Sequence, residues 1–257
     1  MQDVIVDNEN RILCNSLPLS TSEHGVFASM DEGGSWITCD DGLEAEGGTG
    51  YYFLYRFQKL SDNSILGASG PIFSISEIGD PWHMISSIIP SNLGFSLDFA
   101  VCRSNEQIMW IGGMNIFDMG FVSKSVDKGE TWSSIDFNGL IPAENTIKEI
   151  EINPDNADEV FLVSYGSVLK TEDGGENWEI SLNEMGCSDI IIHPDFSNHV
   201  FVITNNQILH SNNNGNNWSE IETPEIPCVL QILIDSTTNR LFVGTENGVF
   251  FYDLFEG

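Results

Sequence analysis

Short segments of alternating apolar and polar residues run along the whole chain and predict β-strands. The clearest set is IKEIEIN (147–153), EVFLVS (159–164), SVLKTE (167–172) and NWEIS (177–181), separated by turns rich in Asp, Asn and Gly. Successive side chains of a strand point to opposite faces, so this alternation is typical of strands with one covered face. A helical period is nearly absent. The pattern therefore predicts an all-β protein.

The four-segment set recurs, and each copy ends in the same short frame. SMDEGGSW, SVDKGETW, TEDGGENW and SNNNGNNW carry a Gly three residues before a Trp and an Asp or Asn five residues before it, and ISEIGDPW is a less exact copy. The Trp residues are 40 to 50 residues apart, which is typical of a repeat architecture. The frame residues are Asp31, Gly33, Trp36; Glu77, Gly79, Trp82; Asp127, Gly129, Trp132; Asp173, Gly175, Trp178; and Asn213, Gly215, Trp218.

The chemistry of this Trp frame indicates a structural role. An Asp or Asn side chain accepts hydrogen bonds from backbone N–H groups just ahead of it and so holds a turn, while Gly supplies a positive φ. The Trp then covers the hairpin with a large apolar ring. Nothing in the frame indicates catalysis.

Four antiparallel strands per repeat are typical of a propeller blade. A sixth repeat has three predicted strands, VLQILID (229–235), RLFVGT (240–245) and GVFFYD (248–253), and no fourth strand or Trp frame follows in this sequence. We therefore predict a single β-propeller domain over residues 1–257, with five four-stranded blades and a three-stranded last blade. The ring would close by packing of blade 6 on blade 1. A truncated larger ring is the alternative.

The frame S/T-x-D-x-G-x-x-W resembles the Asp-box, or BNR repeat, of sialidases, sortilin-type receptors, xyloglucan hydrolases and photosystem II assembly factor-like proteins. The phrases INPDNADEVFLVS and TENGVF also resemble the last two groups. The resemblance implies a propeller and leaves the function open, because one fold hosts many functions.

Each of these groups differs from this chain at its functional residues. A sialidase needs three arginines around a substrate carboxylate, and the arginines here, Arg11, Arg56, Arg103 and Arg240, do not form such a set. The assembly factors carry an arginine-rich patch that has no counterpart, and the chain is too short for the two propellers of a xyloglucan hydrolase.

The charge balance limits the partners. The chain has 39 acidic and 9 basic residues, a net charge of −30, so nucleic acid and anionic bilayers are excluded as partners. No apolar run has membrane-spanning length. Protein or carbohydrate partners remain, and we expect a monomer. The first ten residues show no signal peptide, and the compartment stays open, including export with a signal peptide outside this sequence.

Acids are predicted at the mouth of the central channel, where the first strand of each blade begins. Alignment of these strands places Asp3, Leu54, Asp98, Glu149, Asp189 and Gln231 in one equivalent position, and Ile5, Arg56, Ala100, Glu151, Ile191 and Leu233 two residues on. No cofactor is required, but Asp98, Glu149 and Asp189 could bind calcium or another divalent cation. Alternatively, repulsion raises a carboxylate pKa, or these residues are solvated and have no further role.

Two hypotheses for the function follow. The preferred one is a non-catalytic propeller that binds a protein or glycan on its acidic top face, through Asp3, Arg56, Asp98, Glu149 and Asp189 and through the loop aromatics Tyr51, Phe117 and Tyr165. Each aromatic could instead anchor its own loop. The alternative is a glycan-active hydrolase or lyase that uses Glu149, Glu151 or Asp98, because Glu149 and Glu151 share one side of a strand at about 6.5–7 Å.

Overall fold

The computed structural model describes residues 3–16, 25–44, 52–69, 71–86, 93–115, 119–137, 139–140, 146–205, 207–222 and 229–254, with the backbone alone at 93–97. All regular structure in these ranges is β-strand, arranged in six antiparallel sheets. Within the same ranges, no helix has the length and hydropathy needed to cross a membrane.

Contacts divide the chain into two compact units, Met1–Phe117 with Ser123–Ser134, and Asp118–Val122 with Ile135–Gly257. The first unit holds blades 1 and 2 and most of blade 3. The second holds blades 4 to 6 and the beginning of the third strand of blade 3. The prediction of one domain over residues 1–257 stays a prediction.

Blades 1 to 3 have four strands each, joined in sequence order. Their bounds are β1 Val4–Val6, β2 Ile12–Asn15, β3 Val26–Ser29 and β4 Ile37–Thr38; β5 Arg56–Lys59, β6 Ile65–Ala68, β7 Ile72–Ile75 and β8 His83–Ser86; and β9 Leu93–Val101, β10 Met109–Asn115, β11 Gly120–Ser125 and β12 Ser133–Ser134.

Blades 4 and 5 have four strands each, and blade 6 has three. Their bounds are β13 Ile147–Ile152, β14 Val160–Ser164, β15 Ser167–Thr171 and β16 Glu179–Leu182; β17 Cys187–Ile192, β18 Val200–Thr204, β19 Gln207–Ser211 and β20 Ser219–Glu220; and β21 Val229–Asp235, β22 Arg240–Thr245 and β23 Gly248–Asp253. The predicted fold class is confirmed: the protein is an all-β, six-bladed β-propeller whose last blade has three strands in the described residues.

The core of each unit lies between adjacent blades. Leu13 of blade 1 packs with Phe57 and Trp82 of blade 2 in one buried cluster. In the second unit, Phe161 of blade 4 packs against the first strand of blade 5, and Phe201 of blade 5 packs in turn with the inner strands of blade 6. Burial of apolar faces between blades stabilises each stack by about 25 cal/mol per Å².

The first strands of blades 4, 5 and 6 share a bulge that fixes their alignment. The register shifts between Ile147 and Glu149, between Cys187 and Asp189, and between Val229 and Gln231. A bulge leaves one residue unpaired and re-aims its neighbours. Glu149, Asp189 and Gln231 are therefore equivalent, as predicted.

In blade 2 the predicted alignment is wrong by two residues. The last pair before the following turn is Val6–Ile12 in blade 1 and Lys59–Ile65 in blade 2. Asp3 lies three residues before Val6, and Arg56 lies three residues before Lys59. Arg56, and not Leu54, is therefore the blade 2 equivalent of Asp3. A shift of two keeps every side chain on the same face, so the hydrophobic pattern could not reveal it.

Candidate functional site

Four of the five Trp frames form one hydrogen-bonded turn. A Ser or Thr hydroxyl donates to the Asp or Asn Oδ1 at 2.7–2.9 Å and accepts the N–H of the frame Gly at 2.7–3.0 Å. The frame Gly has a φ between +74° and +96°. The second residue after the frame Gly donates its backbone N–H to the same Oδ1 atom. These bonds give the frames at Asp31, Asp127, Asp173 and Asn213 the structural role that was predicted.

Hydrogen bonds within the frames lower the pKa of their aspartates. The Ser35 hydroxyl holds the pKa of Asp31 below its usual value, Thr131 does so for Asp127, and the Asn177 amide lowers the pKa of Asp173 to about 2. In blade 2, Glu77 instead accepts a hydrogen bond from Arg11 at 3.3 Å. The backbone keeps the same turn, because the Asp80 N–H donates to the Glu77 carbonyl at 3.1 Å and Gly79 has a φ of +103°, so this frame differs in its side-chain bonds.

The frame tryptophans join neighbouring blades, which the sequence did not predict. Trp82 is only 2% exposed, and its Nε1 donates to the Cys39 carbonyl of the preceding blade at 2.8 Å. Trp218 Nε1 donates to the Ser181 carbonyl of blade 4 at 3.1 Å. Trp36, in contrast, is 43% exposed. Trp82 and Trp218 thus contact the preceding blade as well as their own hairpins.

In the first unit, Asp3 is joined to the following blade and Asp98 to the preceding one. Asp3 Oδ2 accepts the N–H of Phe57 at 2.6 Å, and burial raises the pKa of Asp3. Asp98 is 1% exposed, and its Oδ1 lies 3.0 Å from Arg56 Nε of blade 2. Both carboxylates therefore hold two blades together.

In the second unit, the same arrangement recurs. Asp189 accepts the Ile190 N–H at 2.9 Å on one oxygen and the Ile232 N–H of blade 6 at 2.8 Å on the other. Glu151 Oε1 accepts the Ile192 N–H of blade 5 at 3.1 Å. Glu149 is buried. The interpretation of these acids as solvated residues is wrong for Asp98, Glu149 and Asp189, because all three are buried.

The cation site remains a prediction. Within the ranges that the structure describes, no three His, Cys, Asp or Glu side chains are grouped as ligands of one metal ion. The catalytic roles of Glu149, Glu151 and Asp98 also stay predictions. Glu151 and Asp98 have protein partners for a carboxylate oxygen, which limits the freedom of either to act on a substrate.

An exposed patch lies at the ends of blades 4 and 5 opposite their Trp frames. Tyr165, in the turn between β14 and β15, is 51% exposed, and the Lys148 ammonium lies 4.7 Å from the centre of its ring. Lys148 Nζ also donates to the Cys187 carbonyl at 3.1 Å. Met185 is exposed beside them, and its carbonyl accepts the Asn205 side-chain amide at 2.6 Å. We call Lys148, Tyr165, Met185 and Asn205 the Tyr165 patch.

Backbone and side-chain contacts fix the geometry of the Tyr165 patch. The Gly186 N–H donates to the Tyr165 carbonyl at 2.8 Å, which ties the turn of blade 4 to the connection into blade 5. Burial lowers the pKa of Lys148. A cation held over an aromatic ring stabilises one ring orientation. The patch therefore presents a fixed aromatic face to solvent.

Of the three predicted aromatics, the structure describes one. Tyr165 is 51% exposed, and its binding role and its alternative role as an anchor of its own loop both stay predictions. Tyr51 and Phe117 lie outside the described residues. Sequence reasoning missed Lys148 and Met185. Lys148 is the unpaired residue of the bulge in β13, and that bulge is not visible in the alternation of IKEIEIN.

Comparison with known proteins places the chain among propellers. No family model matches it. The photosystem II assembly lipoprotein Ycf48 of Synechococcus sp. (strain CC9902) is 27% identical over 131 residues, which are 50% of this chain and 36% of that protein. The chain thus spans about a third of the length of this curated relative.

Solved structures share the fold at low identity. YCF48 from Cyanidioschyzon merolae matches at 15% identity and a TM-score of 0.62, over 89% of this chain and 77% of that one. The structure of YCF48 bound to D1 peptide matches at 15% identity and a TM-score of 0.65, over 99% of this chain and 89% of that one. An ancestral GH74 enzyme matches at 14% identity and a TM-score of 0.69, over 99% of this chain and 38% of that one. This protein is therefore a six-bladed β-propeller that resembles Ycf48 and GH74-like propellers.

Proposed function

We propose that this protein is a non-catalytic binding propeller that holds a protein segment on the Tyr165 patch. The observation that carries the proposal is the half-exposed Tyr165 ring, held in place by Lys148 and flanked by Met185. Tyr offers a large, rigid contact area with a polar tip, and Met adapts to irregular partners, which is why both are common at binding surfaces. A rigid scaffold with binding residues on its turns is a common arrangement for recognition.

The solved YCF48 structure with a D1 peptide supports a protein as the partner, since it shows a propeller of this fold that holds a peptide. The net charge of −30 favours a basic segment, because complementary charge speeds encounter and selects partners. The same charge opposes self-association, so we propose a monomer. We also assign the four regular Trp frames to the Asp-box type.

A glycan that stacks on Tyr165 is a second ligand class, and a glycan-active hydrolase or lyase is the alternative function. The similarity to the GH74 fold favours that alternative. It has less support, because Glu151 accepts the Ile192 N–H and Glu149 is buried. Turnover of a polysaccharide that is abolished by Glu149→Gln would establish it.

The test of the binding proposal is a peptide array of basic, neutral and acidic sequences, followed by titration of the strongest binder. We expect Tyr165→Ala to weaken binding by about tenfold or more, as is typical of an aromatic hot spot. The matched control is Phe196→Ala, because Phe196 has the same exposed fraction, 51%, and lies in the turn between β17 and β18 at the opposite end of the blade. Equal affinity of the wild type and Tyr165→Ala would overturn the proposal.

A further inference from the structure

The third strand of blade 6 has an edge that no described residue covers. In the other five blades the third strand pairs with a fourth, as β15 does with β16 and β19 with β20. In blade 6 the sheet ends at β23 in the part of the chain that the structure describes. The N–H and C=O groups on the outer side of β23 therefore have no strand partner among the described residues, and we call this side of β23 its open edge.

The outward groups of β23 follow from the pairing with β22. The Leu254 N–H donates to the Asn239 carbonyl at 3.0 Å, so Leu254 belongs to a hydrogen-bonded pair. Bonded and non-bonded pairs alternate along an antiparallel ladder, and the register of β22 with β23 has no shift. The N–H and C=O groups of Val249, Phe251 and Asp253 consequently point away from β22.

The side chains on this edge are apolar and exposed. Val249 is 71% exposed and Phe251 is 52% exposed, whereas the equivalent strand of blade 4, β15, is buried along its whole length. Proteins protect open edges with Lys, Pro or bulges, because such edges pair readily with other strands. The sequence GVFFYD of β23 has no Lys or Pro, and its regular pairing excludes a bulge against β22.

The charges around β23 indicate which kind of strand would pair with it. Glu246 lies in the turn before the strand, and Asp253 ends it. Arg240 is the one basic residue between 229 and 254; its Nε donates to Asp253 at 2.8 Å, and its guanidinium lies 4.3 Å from the centre of the Phe251 ring. Blade 6 thus has three acidic residues, Asp235, Glu246 and Asp253, against the single basic Arg240 between residues 229 and 254. A second copy of the chain would bring the same acids and a further charge of −30.

We infer that the open edge of β23 binds an extended, basic protein segment as a fourth strand of blade 6. Backbone hydrogen bonds to Val249 and Phe251 would give affinity, apolar side chains would cover the two exposed residues, and a Lys or Arg at the ends would lie near Glu246 and Asp253. Strand addition to an exposed edge is a common mode of peptide recognition. This site goes beyond the proposed function, since it lies on β23 and not on the Tyr165 patch.

The test uses two labelled peptides, acetyl-KTVTVTVK-amide and acetyl-ETVTVTVE-amide, in fluorescence anisotropy titrations. We expect the Lys peptide to bind and the Glu peptide to bind at least about tenfold more weakly, a difference of about 1.4 kcal/mol. Val249→Pro removes an outward N–H and should abolish binding, while Val249→Thr keeps that N–H and should retain it. Because the Val249 N–H does not bond to β22, Val249→Pro should keep the wild-type melting temperature.

A second measurement covers the case in which Val249→Pro unfolds. The Lys peptide with N-methyl groups on all six Thr and Val residues has no N–H left on either edge of this segment, so it cannot complete the ladder and should not bind the unchanged protein. Wild-type affinity in the folded Val249→Pro variant, binding of the N-methylated peptide, or equal affinity for the Glu peptide would each overturn the inference. So would a dimer that Val249→Pro dissociates, because the occupant would then be a second copy.

Tyr165→Ala separates this site from the proposed function. It should leave binding of the Lys peptide to β23 unchanged, whether or not it weakens a ligand of the Tyr165 patch. Slow hydrogen exchange of the Val249 and Phe251 amides in the protein without peptide would show that the chain's own residues cover the edge, and would also overturn the inference.

Discussion

The Asp189 carboxylate of blade 5 accepts the backbone N–H of Ile232 in the first strand of blade 6 at 2.8 Å. Asp3 of blade 1 makes the equivalent bond to Phe57 of blade 2 at 2.6 Å. Each acid lies three residues before the last pair of its own first strand, and the donor is the residue that follows the equivalent position in the next blade. These acids therefore serve as links between blades.

Asp189→Ala should lower the free energy of unfolding by about 1–3 kcal/mol, because it leaves the buried N–H of Ile232 without its acceptor. Asp189→Asn keeps one acceptor oxygen and should cost less. The measurement is urea-induced unfolding, with Asp195→Ala as the control, since Asp195 is exposed. A cost for Asp189→Ala no larger than that of the control would contradict the link between blades.

Arg56→Met should destabilise the protein by about 3 kcal/mol, because it removes one charge of a pair whose other member, Asp98, is buried. Adding Asp98→Asn should restore part of the loss, since the remaining charge is then removed as well. A double-mutant cycle from chemical unfolding measures the coupling. Strict additivity of the two substitutions would show that the pair contributes no coupling energy.

Trp82→Ala should cost about 3–5 kcal/mol, the range for large-to-small substitutions of buried aromatic residues. Trp82 is fully buried between blades 1 and 2 and stacks on Phe57 at 5.9 Å. Trp36→Ala, at an exposed Trp of the same frame, should cost less than about 1 kcal/mol. Similar melting temperatures for the two variants would show that burial between blades does not decide the contribution of this Trp.

A histidine pair in blade 5 should contribute a decrease in the free energy of unfolding as the pH drops from 7 to 5. His199 Nδ1 lies 2.9 Å from His210 Nε2, and burial, with the neighbouring His199, lowers the pKa of His210 to about 4. A His whose folded pKa is below its unfolded value stabilises the fold fully above pH 6.5 and loses that stabilisation as the pH falls toward 4.

The expected loss from this pair between pH 7 and 5 is about 1–2 kcal/mol, less than the shift alone implies, because His210 is partly exposed and solvent screens it. His210→Gln should reduce the pH dependence in thermal or urea melts. His83→Gln is the control, since His83 is exposed on β8. An unchanged pH profile in His210→Gln would exclude this pair as its source.

The sequence by itself determined the blades and their turns. The turn bonds of the Trp frame join residues no more than four apart, such as Ser125, Asp127 and Gly129, so local turn chemistry specifies them. The alternation of apolar residues likewise specified the strands, including the three described strands of blade 6. Such features need no information about distant residues.

Only the tertiary structure decided what the polar residues of those strands do. The shift from Leu54 to Arg56 was invisible because a two-residue slip leaves the pattern unchanged. The partners of Asp3 and Asp189 lie more than forty residues away, in the next blade. Lys148 reaches Tyr165 from a bulge that alternation does not encode. In each case the deciding contact forms between elements that the chain brings together only after the strands have paired.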